Sequence, residues 1–304
     1  MLSDFPLLLD GGMGTALMER GLASGEAPER WLLEHPEHIS SVHRAFVEAG
    51  CDIIQTASFG ANSARLSGEP DLAGRTVELC SIATQLARQA ASQVRTAPQR
   101  KVLVAGNIGP AQGWLDSDST HEEQLFEIFA EAAQALATAG VDLLSVETMC
   151  DVREARAAVR AAHTTGLPVL ASMTFSETSD GFASLAGDSL QNCLTELAHA
   201  GAAVIGLNCN LDSSQARRLV QLALPMTSLP LIVQPCAGQP TEVLGRLHYP
   251  EATGLFVTNQ LAIVQQGAAI VGGCCGTSPE AIASLRKSID ELAAATPAPG
   301  EASG

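Results

Sequence analysis

The sequence has few aromatic and few basic side chains. Aromatic residues make up 4% of the 304 residues, with one tyrosine and two tryptophans, and the 17 Lys and Arg residues are outnumbered by 33 Asp and Glu residues, for a formal net charge of −16. A chain this acidic repels nucleic-acid phosphates and anionic lipid surfaces, so we expect neither nucleic acid nor a membrane surface as its partner. A small organic molecule is the expected ligand.

Long apolar runs are also missing. No stretch approaches about 18 consecutive apolar residues, and the N-terminus lacks the apolar segment of a secretion signal, so we expect a cytoplasmic protein without a membrane span. In a reducing compartment the eight cysteines are expected to be free thiols. The seven histidines form no HxH or HExxH pair. We interpret them as surface or loop residues and expect any metal to be held mainly by sulfur.

Short apolar runs alternate with longer amphipathic, alanine-rich segments along the chain. Eight runs have the character of buried strands: 7–10, 52–56, 102–106, 142–147, 169–174, 204–208, 231–234 and 268–271. Helical segments lie between or after them, for example 36–49, 74–93, 122–139, 152–163, 190–200, 214–224 and 279–293. Eight such units predict an α/β fold, a single (β/α)8 TIM barrel over residues 1–293. The polar tail, 294–304, is expected to be disordered.

Four cysteines follow the last three predicted strands. Cys209 follows strand 6, Cys236 follows strand 7, and Cys274 and Cys275 follow strand 8. Catalytic residues of such barrels collect at the carboxyl ends of the strands, and strands 6 to 8 are neighbours. We therefore expect the four thiols on one side of the barrel mouth.

Residues 272–277, Gly-Gly-Cys-Cys-Gly-Thr, indicate a sharp bend at the end of strand 8. Adjacent side chains on a regular strand point to opposite faces, and a turn of the kind that glycine permits is needed to bring both sulfurs to one centre. A strained vicinal disulfide and a pair of buried core cysteines are the alternative interpretations.

Three or four converging thiolates in a reducing compartment are typical ligands of tetrahedral zinc. Ligands drawn from separate strand ends, rather than from paired CxxC motifs, favour a catalytic site with one open position over a structural site. A substrate thiol bound at that position loses its proton to become a thiolate, and the other thiolates keep its sulfur electron-rich. The pattern therefore indicates alkyl transfer to a thiol.

Several motifs resemble those of the homocysteine S-methyltransferase family, which includes betaine and S-methylmethionine enzymes and the homocysteine-binding module of cobalamin-dependent methionine synthase. The motifs are spread over nearly the whole chain: Asp10-Gly-Gly-Met-Gly-Thr15, His35-Pro-Glu37 leading to His43, Ala49-Gly50, Gln55-Thr-Ala-Ser-Phe59, Glu147-Thr148, Gly206-Leu-Asn-Cys209 and Gly272-Gly-Cys-Cys-Gly-Thr277. The resemblance implies a zinc-dependent TIM barrel that methylates homocysteine to methionine.

By the same resemblance, zinc is bound by Cys209, Cys274 and Cys275. Cys236 departs from the family pattern, because cobalamin-dependent relatives usually have an asparagine in its place. It is either a small buried core residue or a displaceable fourth ligand, which closes a four-thiolate site until the substrate thiolate arrives.

The resemblance also implies which residues hold the amino-acid end of homocysteine. Asp10 and Glu147 would bind its amino group, and backbone near Met173 and Thr174 would receive its carboxylate. Asp10 could instead brace the turn that follows it, and Glu147 could cap the next helix. Asn208 is interpreted as a scaffold residue.

The sequence leaves the methyl donor open. A quaternary ammonium such as betaine favours an aromatic cage, and Gly60 stands where betaine enzymes carry a tyrosine, although Trp31 and Trp114 are both expected in loops at the barrel mouth. A sulfonium of the S-methylmethionine type, or a methyl-corrinoid protein supplied as a separate partner, is the other choice. The alternative functions are a catalytically inactive or partner-dependent zinc-binding subunit of a corrinoid system, and methylation of a different small thiol.

Overall fold

A computed structural model of the chain describes residues 6–93, 101–111, 122–243 and 246–295. Within these residues eight parallel strands form one sheet, numbered here β1 to β8: Leu7–Leu8, Ile53–Gln55, Leu103–Ile108, Leu143–Met149, Val169–Met173, Val204–Asn208, Leu231–Gln234 and Ile270–Val271. Each strand from β2 onward pairs with the next, and β8 pairs with β1. All eight predicted strands are confirmed, although β1, β2, β5 and β8 are shorter than predicted.

Contacts between β1 and β2 complete the ring. A parallel bridge joins Leu9 to Ile53. The Leu8 N–H donates to the Asp52 carboxylate at 2.9 Å, and the Asp52 N–H donates to the Leu8 carbonyl at 2.7 Å. The TIM barrel predicted from the sequence is therefore confirmed.

Helices cover the outside of the barrel. The predicted helices are confirmed as Pro36–Glu48, Thr76–Gln93, Glu122–Ala139, Val152–His163, Leu190–His199, Ser213–Ala223 and Pro279–Ala295. Further helices span Met13–Met18, Trp31–Glu34, Ser63–Leu66 and Thr253–Gln266, with 3-10 turns at Pro28–Arg30 and Leu224–Met226. The last helix continues to Ala295, and residues 296–304 of the predicted tail lie outside the described residues. No helix in the described ranges is long and apolar enough to cross a membrane.

The barrel interior is layered. One apolar residue from each strand or its edge joins a single buried cluster: Leu9, Ile53, Ala105, Leu143, Leu170, Val204, Ile232 and Ile270. Because side chains on a strand repeat their direction every two residues, the next inward layer contains Gln55, Asn107, Ser145, Ser172 and Gln234. These side chains are all buried. The barrel therefore changes from apolar to polar toward the carboxyl ends of its strands.

Two hairpins that the sequence analysis did not predict extend the loops at that end. Phe175–Thr178 pairs with Gly181–Ser184 after β5, and Thr241–Val243 pairs with Arg246–His248 after β7. Their strands are too short and too polar to be distinguished from loops in the sequence.

His43 contradicts the prediction that the histidines lie at the surface. It shares the buried face of helix Pro36–Glu48 with Ile39, Val42 and Phe46, as expected from helical spacing. Its side chain is fully buried, and burial lowers its pKa to about 4. Neither ring nitrogen has a hydrogen-bond partner among the described residues. The imidazole is therefore held neutral inside the fold.

Candidate metal and substrate site

Backbone hydrogen bonds beyond the ends of β6, β7 and β8 fix the four cysteines. The Cys209 N–H donates to the Gln234 carbonyl at 3.0 Å, and the Cys274 N–H donates to the Pro235 carbonyl at 2.9 Å. The Cys236 N–H donates at 2.9 Å to a carbonyl in the loop after β6, and the Ala237 N–H donates at 2.9 Å to the Cys275 carbonyl. The three strand ends are thus joined to one another, as the predicted neighbourhood of strands 6 to 8 requires.

The sulfur atoms of Cys209, Cys236, Cys274 and Cys275 all lie within 4.8 Å of one another. The Cys209–Cys236 separation is 3.6 Å, and the Cys209–Cys275 and Cys274–Cys275 separations are both 4.0 Å. A tetrahedral metal ion with bonds to sulfur of about 2.3 Å would hold its ligands about 3.8 Å apart. The cluster therefore has the chemistry and the size of a tetrahedral metal site.

Neither alternative interpretation of the adjacent cysteines is correct. The sulfurs of Cys274 and Cys275 are 4.0 Å apart and not bonded, and both residues are partly exposed rather than buried in the core. A Cβ atom on Gly273 would collide with the Thr277 side chain, so the bend depends on glycine at this position.

A strained turn of the backbone positions Cys209. Cys209 and Asn210 have φ angles of 61° and 56°, in the left-handed region that residues with a Cβ atom rarely adopt. Each such residue costs roughly 1–2 kcal/mol. The Asn210 side chain donates to the Phe175 carbonyl at 2.9 Å, which helps to hold the turn. The turn directs the Cys209 sulfur toward Cys236 and Cys275.

Hydrogen bonds inside the cluster concentrate negative charge on one sulfur. Bonds from Cys209, and then from Cys236 and Cys274, lower the pKa of the Cys275 thiol. The Tyr249 hydroxyl also hydrogen-bonds to Cys275 and acts in the same direction. The bond with Cys209 is the largest cause that raises the pKa values of Cys236 and Cys274. The donor set is thus anionic and suits a cation.

Two buried carboxyl groups lie beside this cluster. Asp10 accepts the Gln55 N–H at 2.8 Å, and Glu147 accepts the side-chain amides of Asn107 at 2.8 Å and Asn208 at 3.3 Å. Burial raises the pKa of both groups, and the charge of Glu147 raises that of Asp10 further. Within the described residues neither group has a salt bridge or a nearby cation. Two buried acids without a cationic partner favour a cationic ligand.

Neither acid has the particular structural role that the sequence left open. Asp151, not Glu147, is the N-cap of helix Val152–His163, and its carboxylate accepts the Arg153 N–H at 2.7 Å. The Asp10 side chain bonds to Gln55 on β2, which ties the two strands together rather than bracing the turn after β1.

The backbone near Met173 and Thr174, which is predicted to receive the carboxylate of homocysteine, already makes hydrogen bonds within the sheet. The Thr174 N–H donates to the Met149 carbonyl at 2.8 Å, and its hydroxyl donates to the Asn208 carbonyl at 3.2 Å. Met173 lies in the paired part of β5, opposite Met149 and Leu207. The role of Met173 and Thr174 stays a prediction, and Thr174 would have to exchange a sheet hydrogen bond to perform it.

The scaffold role predicted for Asn208 is confirmed. Its side chain is fully buried and bonds to residues of β4 and β5, including Thr148 and Ser172. Sequence reasoning assigned no role to Gln55, Asn107 and Tyr249, which surround the carboxylates and the cluster. The inward register of β2 and β3 could have identified the first two, since each follows an apolar interior residue by two positions.

Neither the position of Trp31 nor the surroundings of Gly60 favours an aromatic cage. The expectation that Trp31 lies in a mouth loop is wrong, since it begins helix Trp31–Glu34, is 5% exposed and donates its indole N–H to Glu26 at 3.1 Å. Trp114 lies outside the described residues. The Gly60 N–H donates to the buried Glu29 carboxylate at 2.5 Å, and a Cβ atom at Gly60 would lie 2.9 Å from an oxygen of that carboxylate.

A second group of metal-binding side chain types lies on the surface. Ligand atoms of His35, Glu37 and His38 approach within 4.8 Å of one another at the start of helix Pro36–Glu48. All three are at least partly exposed, and exposed groups of this kind are common without a bound ion.

Comparisons with known proteins show which family this chain resembles. Residues 7–289 match the model of the homocysteine S-methyltransferase family. The methionine synthase of Mycobacterium tuberculosis is 30% identical over 310 residues, which cover 96% of this chain and 25% of that protein. The methionine synthase of Mycobacterium leprae is 30% identical over 289 residues, covering 90% and 23%. The chain thus spans about a quarter of the length of these relatives.

Solved structures of a homocysteine methyltransferase have the same fold. The metallated form of MmuM from Escherichia coli aligns with a TM-score of 0.79 at 27% identity, covering 94% of this chain and 97% of that one. Its apo form aligns with a TM-score of 0.72 at the same identity, covering 94% and 96%.

Proposed function

This chain belongs to the homocysteine S-methyltransferase family, and we propose that it uses zinc to transfer a methyl group to the sulfur of homocysteine, forming methionine. One observation carries the proposal: a cluster of four thiols lies next to two buried carboxyl groups that have no cation of their own among the described residues. A substrate with a thiol at one end and an ammonium group at the other complements both parts.

Zinc suits the donor set. Cys209, Cys274 and Cys275 would hold it, because all three are at the mouth of the barrel and partly exposed on the side from which a substrate enters. Zinc binds thiolates tetrahedrally and brings no redox chemistry. When bound, it supplies the acidity that converts a substrate thiol, with a pKa of about 8.5, to a thiolate at neutral pH.

Asp10 and Glu147 would hold the amino group of homocysteine. The Asn208 Nδ2 lies 3.3 Å from a Glu147 oxygen and 4.0 Å from the Cys274 sulfur. The Glu147 oxygen and the Cys274 sulfur are therefore no farther apart than the sum of these two distances. The two methylene groups between the amino-bearing carbon and the sulfur of homocysteine would bridge this gap. An ammonium group between the two acids would also relieve their mutual repulsion.

The residues would then present the acceptor sulfur to the donor. The sulfur attacks the methyl carbon, and the former carrier of the methyl group leaves on the opposite side. The buried Glu147–Asn208 pair fixes the amino-acid end, so that the sulfur points out of the barrel mouth. The crowded site of Gly60 and the buried position of Trp31 disfavour betaine, which leaves a sulfonium or a methyl-corrinoid protein as the donor.

A donor panel tests the function. Zinc-loaded protein with homocysteine is incubated in turn with S-methylmethionine, S-adenosylmethionine, betaine and methylcobalamin, and methionine is measured. We expect methionine from at least one sulfonium or from methylcobalamin, and none after zinc is removed with a chelator. No methionine with any donor, or equal yields without zinc, would contradict the proposal.

A partner-dependent module is the second candidate function. The observation that favours it is the length of the methionine synthases, of which this chain spans about a quarter. In that case methionine would form only when a methyl-corrinoid protein is added to the panel as a further donor. We also propose a reducing, cytoplasmic location, because the eight cysteines are all free thiols and the cluster needs them unoxidised.

A further inference from the structure

We propose that Cys236 is a fourth sulfur ligand of the metal site and that the thiolate of the substrate takes its place. The inference rests on the proposed function for the identity of the substrate. It concerns a residue that lies outside the motifs shared with the family.

The strand register points Cys236 into the barrel. Ile232 belongs to the interior apolar layer, and the Gln234 side chain donates across the barrel to Gln55 at 3.3 Å. Cys236 follows Gln234 by two positions, and its N–H is still held by the neighbouring loop at 2.9 Å. Its sulfur lies 3.6 Å from that of Cys209, close to the edge of about 3.8 Å expected for a thiolate tetrahedron.

The other buried cysteines differ from Cys236. Cys51, Cys80 and Cys193 are fully buried in the core, and none of them joins a cluster of metal-ligand atoms within the described residues. The Cys80 and Cys193 thiols donate to backbone carbonyls at 3.8 and 3.9 Å. Cys236 is buried as well, at 4% exposure, but its sulfur faces three other sulfurs. An ordinary core position does not account for this arrangement.

Four thiolates would fill all four positions of a tetrahedral ion, so a substrate thiol can bind only by displacing one of them. Cys209 is held by its left-handed turn, and Cys274 and Cys275 by the glycine bend. Cys236 has neither constraint. It is also buried, and its N–H donates to the carbonyl of buried Leu211, so its released sulfur would stay in a buried position as a neutral thiol.

The exchange balances without a base or any other reactant. The bond between the metal and the Cys236 sulfur would break, the bond between the metal and the substrate sulfur would form, and the proton of the substrate thiol would end on Cys236. The site holds four thiolates before and after, and no proton enters solution. In Cys236→Ala a water would hold the fourth position, and the same binding would release one proton.

X-ray absorption at the zinc edge tests the ligand set without any turnover. We expect four sulfurs per zinc in the substrate-free protein and three sulfurs plus a lighter atom in Cys236→Ala, with one equivalent of zinc retained. Cys193→Ala, which removes a buried cysteine outside the cluster, should keep four sulfurs. Three sulfurs plus a lighter atom in the unmodified protein would overturn the proposal.

Calorimetry of homocysteine binding in buffers of different ionisation enthalpy tests the exchange. We expect no net proton release from the unmodified protein, about one proton from Cys236→Ala, and a Kd that falls about tenfold in the variant, because the competing thiolate is gone. Release of one proton by both proteins would overturn the exchange. If the protein transfers methyl groups but its zinc has three sulfur ligands, this inference is wrong and the proposed function stands. If zinc has four sulfur ligands and one of them exchanges, but no methionine forms with any donor, the inference stands and the proposed function is wrong.

Discussion

Asn208 on β6 holds Glu147 on β4 across the intervening strand. Its Nδ2 donates to the Glu147 carboxylate at 3.3 Å and to the Thr148 hydroxyl at 2.7 Å, while its Oδ1 accepts the Thr148 N–H at 2.7 Å and the Ser172 hydroxyl at 2.8 Å. Thr148 has a φ angle of 60°, at an irregularity in the pairing of β4 with β5. The amide therefore supports the bulge that turns Glu147 toward the cluster.

Asn208→Ala should destabilise the fold by about 2–4 kcal/mol, because it leaves the Thr148 N–H and other buried polar groups without partners. Urea unfolding measures the change. Asn192→Ala, on an exposed position of helix Leu190–His199, is the control and should stay within about 0.5 kcal/mol of the unmodified protein. Equal effects of the two substitutions would show that Asn208 does not support the site.

Glu147→Gln should weaken homocysteine binding by about 10- to 100-fold, since the loss of a charge-assisted hydrogen bond amounts to roughly 1.5–3 kcal/mol. A simple thiol without an amino group should bind equally well to both proteins. Glu154→Gln changes another buried acid, which accepts the Ala111 N–H at 2.7 Å, and should leave homocysteine affinity unchanged. Weaker binding of both thiols to Glu147→Gln would indicate a structural role instead.

Cys275→Ala should abolish methyl transfer and weaken zinc binding by on the order of 100-fold or more, because loss of a direct ligand exceeds the effect of losing a group that only supports one. Hydrogen bonds from the other three thiols and from Tyr249 lower the pKa of the Cys275 thiol. Competition with a chromogenic chelator measures the affinity, with Cys80→Ala as the buried control. Unchanged zinc affinity and turnover in Cys275→Ala would show that the metal site is misassigned.

The barrel and the position of its thiols could be predicted because both follow from local patterns. The alternation of apolar runs and amphipathic segments requires a buried parallel sheet, and the order of the strands then places Cys209, Cys236 and the adjacent pair on neighbouring ends. Single-residue geometry could not be predicted in the same way. The left-handed turn at Cys209 and the bulge at Thr148 contain no glycine that would predict them from the sequence. Tertiary hydrogen bonds hold both in place.

The burial of individual side chains could not be predicted from residue type either. His43 lies on an apolar helix face, and Trp31 packs against His35 and His38 at ring-centroid distances of 4.9 and 5.2 Å. His and Trp are intermediate residue types that are seldom buried completely. Helical spacing places His43 on the same face as apolar residues. That pattern predicts a core position, whereas the polarity of the side chain predicts a surface position, and the pattern is the correct guide here. The layers of the barrel interior could likewise be predicted, because residues that point inward repeat every two positions along each strand.

The buried imidazole of His43 should make stability fall as the pH is lowered. Its pKa is about 4 in the folded protein and about 6.5 when unfolded, so between these values the unfolded chain binds a proton that the folded chain does not. The free energy of unfolding should therefore decrease by up to about 3 kcal/mol from pH 6.5 to pH 4. The buried acids Asp10 and Glu147, whose pKa values are raised, act in the opposite direction.

Comparison with a His43 variant isolates the contribution of this imidazole from that of the acids. His43→Leu should lose this part of the pH dependence, whereas exposed His199→Gln should keep it. Because neither ring nitrogen has a partner among the described residues, His43→Leu should also be neutral or stabilising at pH 7. Urea unfolding at a series of pH values gives the stability curves. Parallel curves for His43→Leu and the unmodified protein between pH 7 and pH 5 would show that the imidazole is protonated as readily in the fold as in the unfolded chain.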